Sequence, residues 1–131
     1  MSNEPLIQCH NIAAKRLLTK VNLYNRLTKA KTLIEMEVDK NFSIPALARE
    51  ATISQFHFIR KFQEAFGCSP YRYQLNKRLE MSLALLQDNS LYINDVASRM
   101  GFCDIYAFSK AFKKKYGICP SKLREKIKDA A

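Results

Sequence analysis

Two sets of side chains in this sequence have types and spacing suited to reading DNA bases. With about 100° per residue and Phe58 set inward, Phe56, Arg60 and Gln63 point away from a helix, with Ile59 at the margin. With Phe108 set inward, Tyr106, Lys110 and Lys113 do the same, with Ser109 at the margin. An arginine forms a bidentate pair with guanine O6 and N7, glutamine addresses adenine, and an aromatic ring touches a thymine methyl. Lys110 reaches a guanine edge or a phosphate, while Lys113, Lys114 and Lys115 suit backbone contacts. Each set has a plainer alternative. Phe56 and Tyr106 could pack on neighbouring helices, and a lysine run at a helix end is often solvated surface that complements the helix dipole.

Other chemistries find no footing. The four cysteines, Cys9, Cys68, Cys103 and Cys119, form no C-x-x-C pair, and only two histidines accompany them. No zinc site is expected, and the thiols are expected to be reduced. Cys103 is the candidate for redox control because oxidation there would add polarity beside DNA; a structural cysteine is the competing reading. There is no G-x-S-x-G, no glycine-rich phosphate loop, no H-E-x-x-H and no carboxylate cluster on a shared face. No enzyme and no cofactor are expected, and His57 reads as a phosphate contact or a capping group.

The bulk composition points the same way. The chain has 131 residues with 47% hydrophobic and 26% charged, the make-up of one modest domain or two small lobes. Its 22 Lys+Arg against 12 Asp+Glu leave +10, so nucleic acid or another anionic surface is the expected partner. No apolar run approaches the roughly eighteen residues of a membrane span, and Met1 to Pro5 include an acid rather than a basic leader. A cytoplasmic protein with no membrane partner is expected.

The elements that position these residues are marked by glycine and proline. Gly67, Gly101 and Gly117 each follow a stretch of helical apolar spacing, and Pro45, Pro70 and Pro120 sit at or near the start of the next. An all-α fold follows. Leu23, Leu27, Ala30 and Ile34 mark a first long helix; Ile44, Leu47, Ala48 and Ala51 mark a short second one capped by Ser43. Phe58, Phe62, Ala65 and Phe66 form the inner face of a third, from Ser54 to just before Gly67. Tyr71, Leu75, Leu79, Ser82, Leu83 and Leu86 stripe a long fourth helix, which a second flank at Met81 and Leu85 would let pack from two sides. Residues 1–20 read as a short extra helix, an arm, or the remnant of a link to another domain.

The pattern then repeats. Ile93, Val96, Ala97 and Met100 match Ile44, Leu47, Ala48 and Ala51 at an offset of 49 residues. Past a turn one residue longer, Phe108, Phe112, Tyr116, Gly117 and Pro120 match Phe58, Phe62, Phe66, Gly67 and Pro70 at an offset of 50. A short helix, a tight turn and a longer helix make a helix-turn-helix, whose second helix enters the DNA major groove. The expected organisation is a first lobe over 21–69, a linker helix over 70–88 and a second lobe over 89–131. An 18-residue linker helix, Pro70 to Gln87, is about 27 Å long, against about 34 Å between successive major grooves. One chain would then read two grooves of an asymmetric site without a dimer.

The stretches LAREATISQFHFIRKFQEAFGCSP (Leu47 to Pro70), RLEMSLALL (Arg78 to Leu86) and INDVASRMGFCDIYAFSKAFKKKYGICPSKLR (Ile93 to Arg124) resemble the AraC/XylS family of bacterial transcription regulators. The resemblance covers about residues 21 to 126. It implies seven helices in two homeodomain-like helix-turn-helix lobes joined by a linker helix. It also implies a promoter-bound regulator, usually an activator, that contacts RNA polymerase. By the same resemblance the base-reading positions are Phe56, Ile59 and Arg60 in the first lobe and Tyr106, Ser109 and Lys110 in the second. The chain is more similar to the short stand-alone, monomeric members of the family, with no room for the sensor domain most relatives carry. It departs from the family at Ile59, apolar where many relatives have a polar reader, at Ile105, a further apolar side chain that opens the second recognition helix, at Lys61, often apolar, and at Ser82, usually a small apolar residue. Two alternatives to specific regulation are a protein-interaction module and a non-specific DNA binder.

Overall fold

The computed structural model describes residues 4–130, with side chains from residue 12 onward. Among these residues there are seven helices and no strand: α1 (Glu4–Met36), α2 (Ile44–Glu50), α3 (Gln55–Phe66), α4 (Pro70–Leu86), α5 (Ile93–Arg99), α6 (Ile105–Tyr116) and α7 (Pro120–Ala130). They divide into two compact units. One comprises α1 through Leu33 with Ser43–Ser69, and the other Ile34–Phe42 with the chain from Pro70 onward.

The first unit is built on the apolar spacing of α1, α2 and α3. Leu27 and Ala30 are buried with Ile44, Leu47, Ala48, Ala51, Phe58 and Phe62, and the two phenylalanines have no exposed surface. Burying such a side chain contributes roughly 1.5 to 3 kcal/mol, which makes these rings the main anchors of α3. Phe66 extends the ring ladder, 4.7 Å from Phe62 and 5.9 Å from Tyr24 between centroids. Ser43 caps α2, its Oγ accepting from the Ala46 amide at 3.4 Å. Amino-terminal to this packing α1 continues without a break, and its apolar residues Ile12, Leu17, Leu18 and Val21 are exposed.

The second unit repeats the plan with α4 in the place of α1. Leu79, Leu86, Val96, Ala97, Phe108 and Phe112 form its buried core, joined at the edge by Leu75, Leu83, Leu85, Ile93 and Tyr116. The flank expected to widen the stripe on α4 is only half used, because Leu85 packs on the core while Met81 is 47% exposed. Tyr71, expected in the stripe, is exposed at its edge and stacks on Phe42 at 4.9 Å. Ser82 is fully buried, and its hydroxyl donates to the Leu79 carbonyl at 2.6 Å, which is how the helix accepts a polar side chain there.

Three long polar side chains fasten the loops of this unit. Gln74 Nε2 donates to the Lys40 carbonyl at 2.6 Å, and Arg78 donates from Nε to Val38 O at 2.7 Å and from Nη1 to Gly101 O at 3.2 Å. Burial pushes the Arg78 guanidinium below its ordinary pKa, and the nearby Asp39 charge opposes that shift. Arg124 of α7 donates to Leu86 O at 3.0 Å and to Leu91 O at 2.6 Å, closing the loop between α4 and α5. Gln74 and Arg124 stand 50 residues apart, so the duplication extends to the residue that clamps the first loop of each copy.

Candidate nucleic-acid interface

In both copies the short helix ends on a residue with positive φ. Thr52 at φ 56° and Gly101 at φ 81° turn the chain, and the amides of Ile53 and Phe102 donate to Ala48 O and Ala97 O at 3.1 and 3.0 Å. The amino terminus of the long helix is then capped by a side-chain oxygen. Ser54 Oγ accepts from the His57 amide at 3.2 Å, and Asp104 Oδ1 accepts from the Ala107 amide at 2.8 Å. His57 belongs to its cap, with Nδ1 2.8 Å from Ser54 Oγ. Gly67 and Gly117, in the left-handed region, end α3 and α6. With the phenylalanine ladder fixed inward, the opposite face of each helix is left to solvent.

The first outward face carries what the helical spacing predicts. Phe56 is 72% exposed and Ile59 37%, and Arg60 and Gln63 are exposed beside them. Together with Glu64 they line a shallow concavity of about 430 Å³. The alternative in which Phe56 packs on a neighbouring helix fails on its exposure, as it does for Tyr106 at 80%. Arg60 does not project alone: its Nε donates to Glu64 Oε1 at 3.4 Å, and Lys61 Nζ donates to Glu64 Oε2 at 3.3 Å. Lys61, and to a smaller degree Arg60, hold the Glu64 carboxyl below its ordinary pKa, so it remains charged.

The second outward face is more cationic. Tyr106, Lys110, Lys113 and Lys114 are exposed, and Ser109 is half-buried at the margin. Lys115 turns away, 3.8 Å from Glu80 of α4. Between α4 and α6 runs a groove of about 460 Å³ over Leu75 and Leu79, bordered by Arg72, Lys110 and Lys114. Cys103, in the turn before α6, is exposed, and no group of metal-ligating side chains lies among the described residues. On the first outward face Glu64 is the residue that spacing alone did not single out, although its i, i+4 separation from Arg60 was the available signal.

Two helix-turn-helix units, each with an exposed face of aromatic and cationic side chains on its second helix, define a DNA-binding protein. A helix-turn-helix domain family matches residues 47–126. The probable transcriptional regulator LumQ of Photobacterium leiognathi is 32% identical over 89 residues, 68% of this chain and 36% of that protein. A transcriptional regulator of Chromobacterium violaceum with an AraC-type DNA-binding domain has a similar structure, with a TM-score of 0.70 at 28% identity over 77% of this chain and 90% of that one. The DNA-binding domain of AdpA, a global transcriptional factor solved in complex with a target DNA, shares the fold with a TM-score of 0.73 at 23% identity, covering 79% of this chain and 94% of that one. The chain belongs to the AraC/XylS family of DNA-binding transcription regulators, which are not enzymes. It spans about a third of the length of the curated relatives it matches. No described helix is long and apolar enough to cross a membrane.

Proposed function

We propose that this chain regulates transcription by reading double-stranded promoter DNA at two points, with α3 in one major groove and α6 in the next. One chain suffices, as a monomer on an asymmetric site of about two helical turns. The observation that carries this reading is the pair of exposed faces, alike in layout yet different in every reading residue: Phe56, Ile59, Arg60 and Gln63 in one, Tyr106, Ser109, Lys110 and Lys113 in the other. Different readers on the two copies favour different half-elements rather than a palindrome. Arg60 and Lys110 are the principal base readers, and Lys113 and Lys114 bind backbone phosphates. Activation through contact with RNA polymerase, in the cytoplasm, follows the habit of the family.

Selection of bound duplexes from a random pool at about 0.15 M salt tests this reading. The expected product is an asymmetric motif with two unlike half-elements about one helical turn apart. A pool with no enriched motif, and binding that vanishes as salt rises, would mean non-specific electrostatics and overturn it.

A further inference from the structure

We infer that Glu64 is a positioning and discriminating residue of the first recognition helix: its carboxylate holds Arg60 ready for a base edge and weakens the hold of α3 on DNA of the wrong sequence. The inference rests on the proposal that α3 faces DNA. Three observations carry it. Glu64 shares the concavity lined by Phe56, Ile59, Arg60 and Gln63, so its charge lies on the reading face itself. Its Oε1 takes the Nε donor of Arg60 at 3.4 Å, which leaves the two Nη groups as the free end of the guanidinium. That end is the fork that reaches guanine O6 and N7 together. Ordering a free arginine on binding costs rotamer freedom, and a side chain already held loses less of it.

The third observation comes from the duplication. The residue 50 positions after Glu64 is Lys114, exposed on α6. Helix α6 carries Lys110, Lys113, Lys114 and Lys115 with no acid, whereas α3 opposes Arg60 and Lys61 with Glu64. A phosphate backbone attracts the first helix far less than the second, whatever the sequence. The two units therefore divide the work: α6 supplies adhesion, and α3 adds little until Arg60 finds its base. An exposed ion pair within one helix contributes little to folding, so the pair with Glu64 is available for this role rather than needed for stability.

The test compares wild type, Glu64→Gln, Glu64→Lys and the reciprocal Lys114→Glu by fluorescence anisotropy, on the selected duplex and on a scrambled one, across a salt series. Glu64→Lys is expected to raise affinity for the scrambled duplex about tenfold at low salt and to steepen the slope of log affinity against log salt by about one. Affinity for the selected site should rise less, so the ratio of specific to non-specific binding falls. Glu64→Gln keeps an oxygen for Arg60 Nε without the charge. It should raise non-specific affinity by a smaller factor and preserve the base preference at the Arg60 position. Lys114→Glu should weaken both duplexes. An unchanged ratio in Glu64→Lys overturns the inference. So does loss of a cytosine preference in Glu64→Gln, since Glu64 would then be reading a base itself. A wild type that does not distinguish the two duplexes instead removes the proposed function, which separates the two failures.

Discussion

On the proposed reading Arg60 meets a base edge and Lys114 the phosphate backbone, so their replacement should be felt differently. Arg60→Ala is expected to weaken binding to the selected site by about 1 to 3 kcal/mol and to relax base choice at one position. Lys114→Ala should weaken all sequences alike and flatten the salt dependence by about one counterion. Anisotropy titrations on matched and scrambled duplexes measure both, and equal binding of wild type and Arg60→Ala to the selected site would remove Arg60 from the interface. Arg78 belongs to the fold instead. Its guanidinium serves the carbonyls of Val38 and Gly101, so Arg78→Leu takes their side-chain donor away and should cost on the order of 2 to 3 kcal/mol in denaturant unfolding. The outward set was legible because Phe58 and Phe108 fix the helix phase, and everything else on α3 and α6 follows at a constant angle. Gln74, Arg78 and Arg124 were not, since a polar residue on a helix defaults to solvent and their partners lie 33 to 40 residues away for the longest-reaching bonds.

At the scale of the elements, the glycines separate local conformation from packing. Gly67, Gly101 and Gly117 all have φ near +80°, yet a Cβ on Gly67 or Gly117 meets nothing within 4 Å, whereas one on Gly101 would come within 2.3 Å of Asp39 O. Gly67→Ala and Gly117→Ala should each cost about 1 to 2 kcal/mol, the cost of a left-handed alanine. Gly101→Ala should cost clearly more, because the Val38–Asn41 loop and Arg78 must move with it, and equal losses in thermal unfolding would refute that distinction. Thr52 holds the equivalent turn in the first unit at φ 56° without glycine's freedom. Thr52→Gly is therefore expected to hold or raise stability, by up to about 1 kcal/mol. The helices from α2 to α6 were readable from caps, glycine stops and the aromatic ladder. The reach of α1 was not: Ile12, Leu17, Leu18 and Val21 are all exposed, so their spacing gave no buried face against which to set a boundary.

For the molecule as a whole, the duplication is the feature on which the proposed function rests. One supersecondary unit, used twice, presents two exposed helix faces over cores that are nearly interchangeable, while the faces themselves are not. Phe58 and Phe62 correspond to Phe108 and Phe112, all without exposed surface, while Arg60, Gln63 and Glu64 correspond to Lys110, Lys113 and Lys114. Matched cores preserve the fold, and the proposal that one chain recognises two unlike half-elements rests on the unlike surfaces. The excess of cations behind the net charge of +10 favours attraction to any DNA, and on the proposed reading the two faces add choice to it.

The most direct measurement of this account is a paired selection from the same random pool with Arg60→Ala and with Lys110→Ala, set beside wild type. Each variant should lose sequence information in one half-element and keep it in the other, at different ends of the motif. If both variants erode the same half-element, or if neither alters the motif, the two units do not read separate grooves and the central claim is wrong.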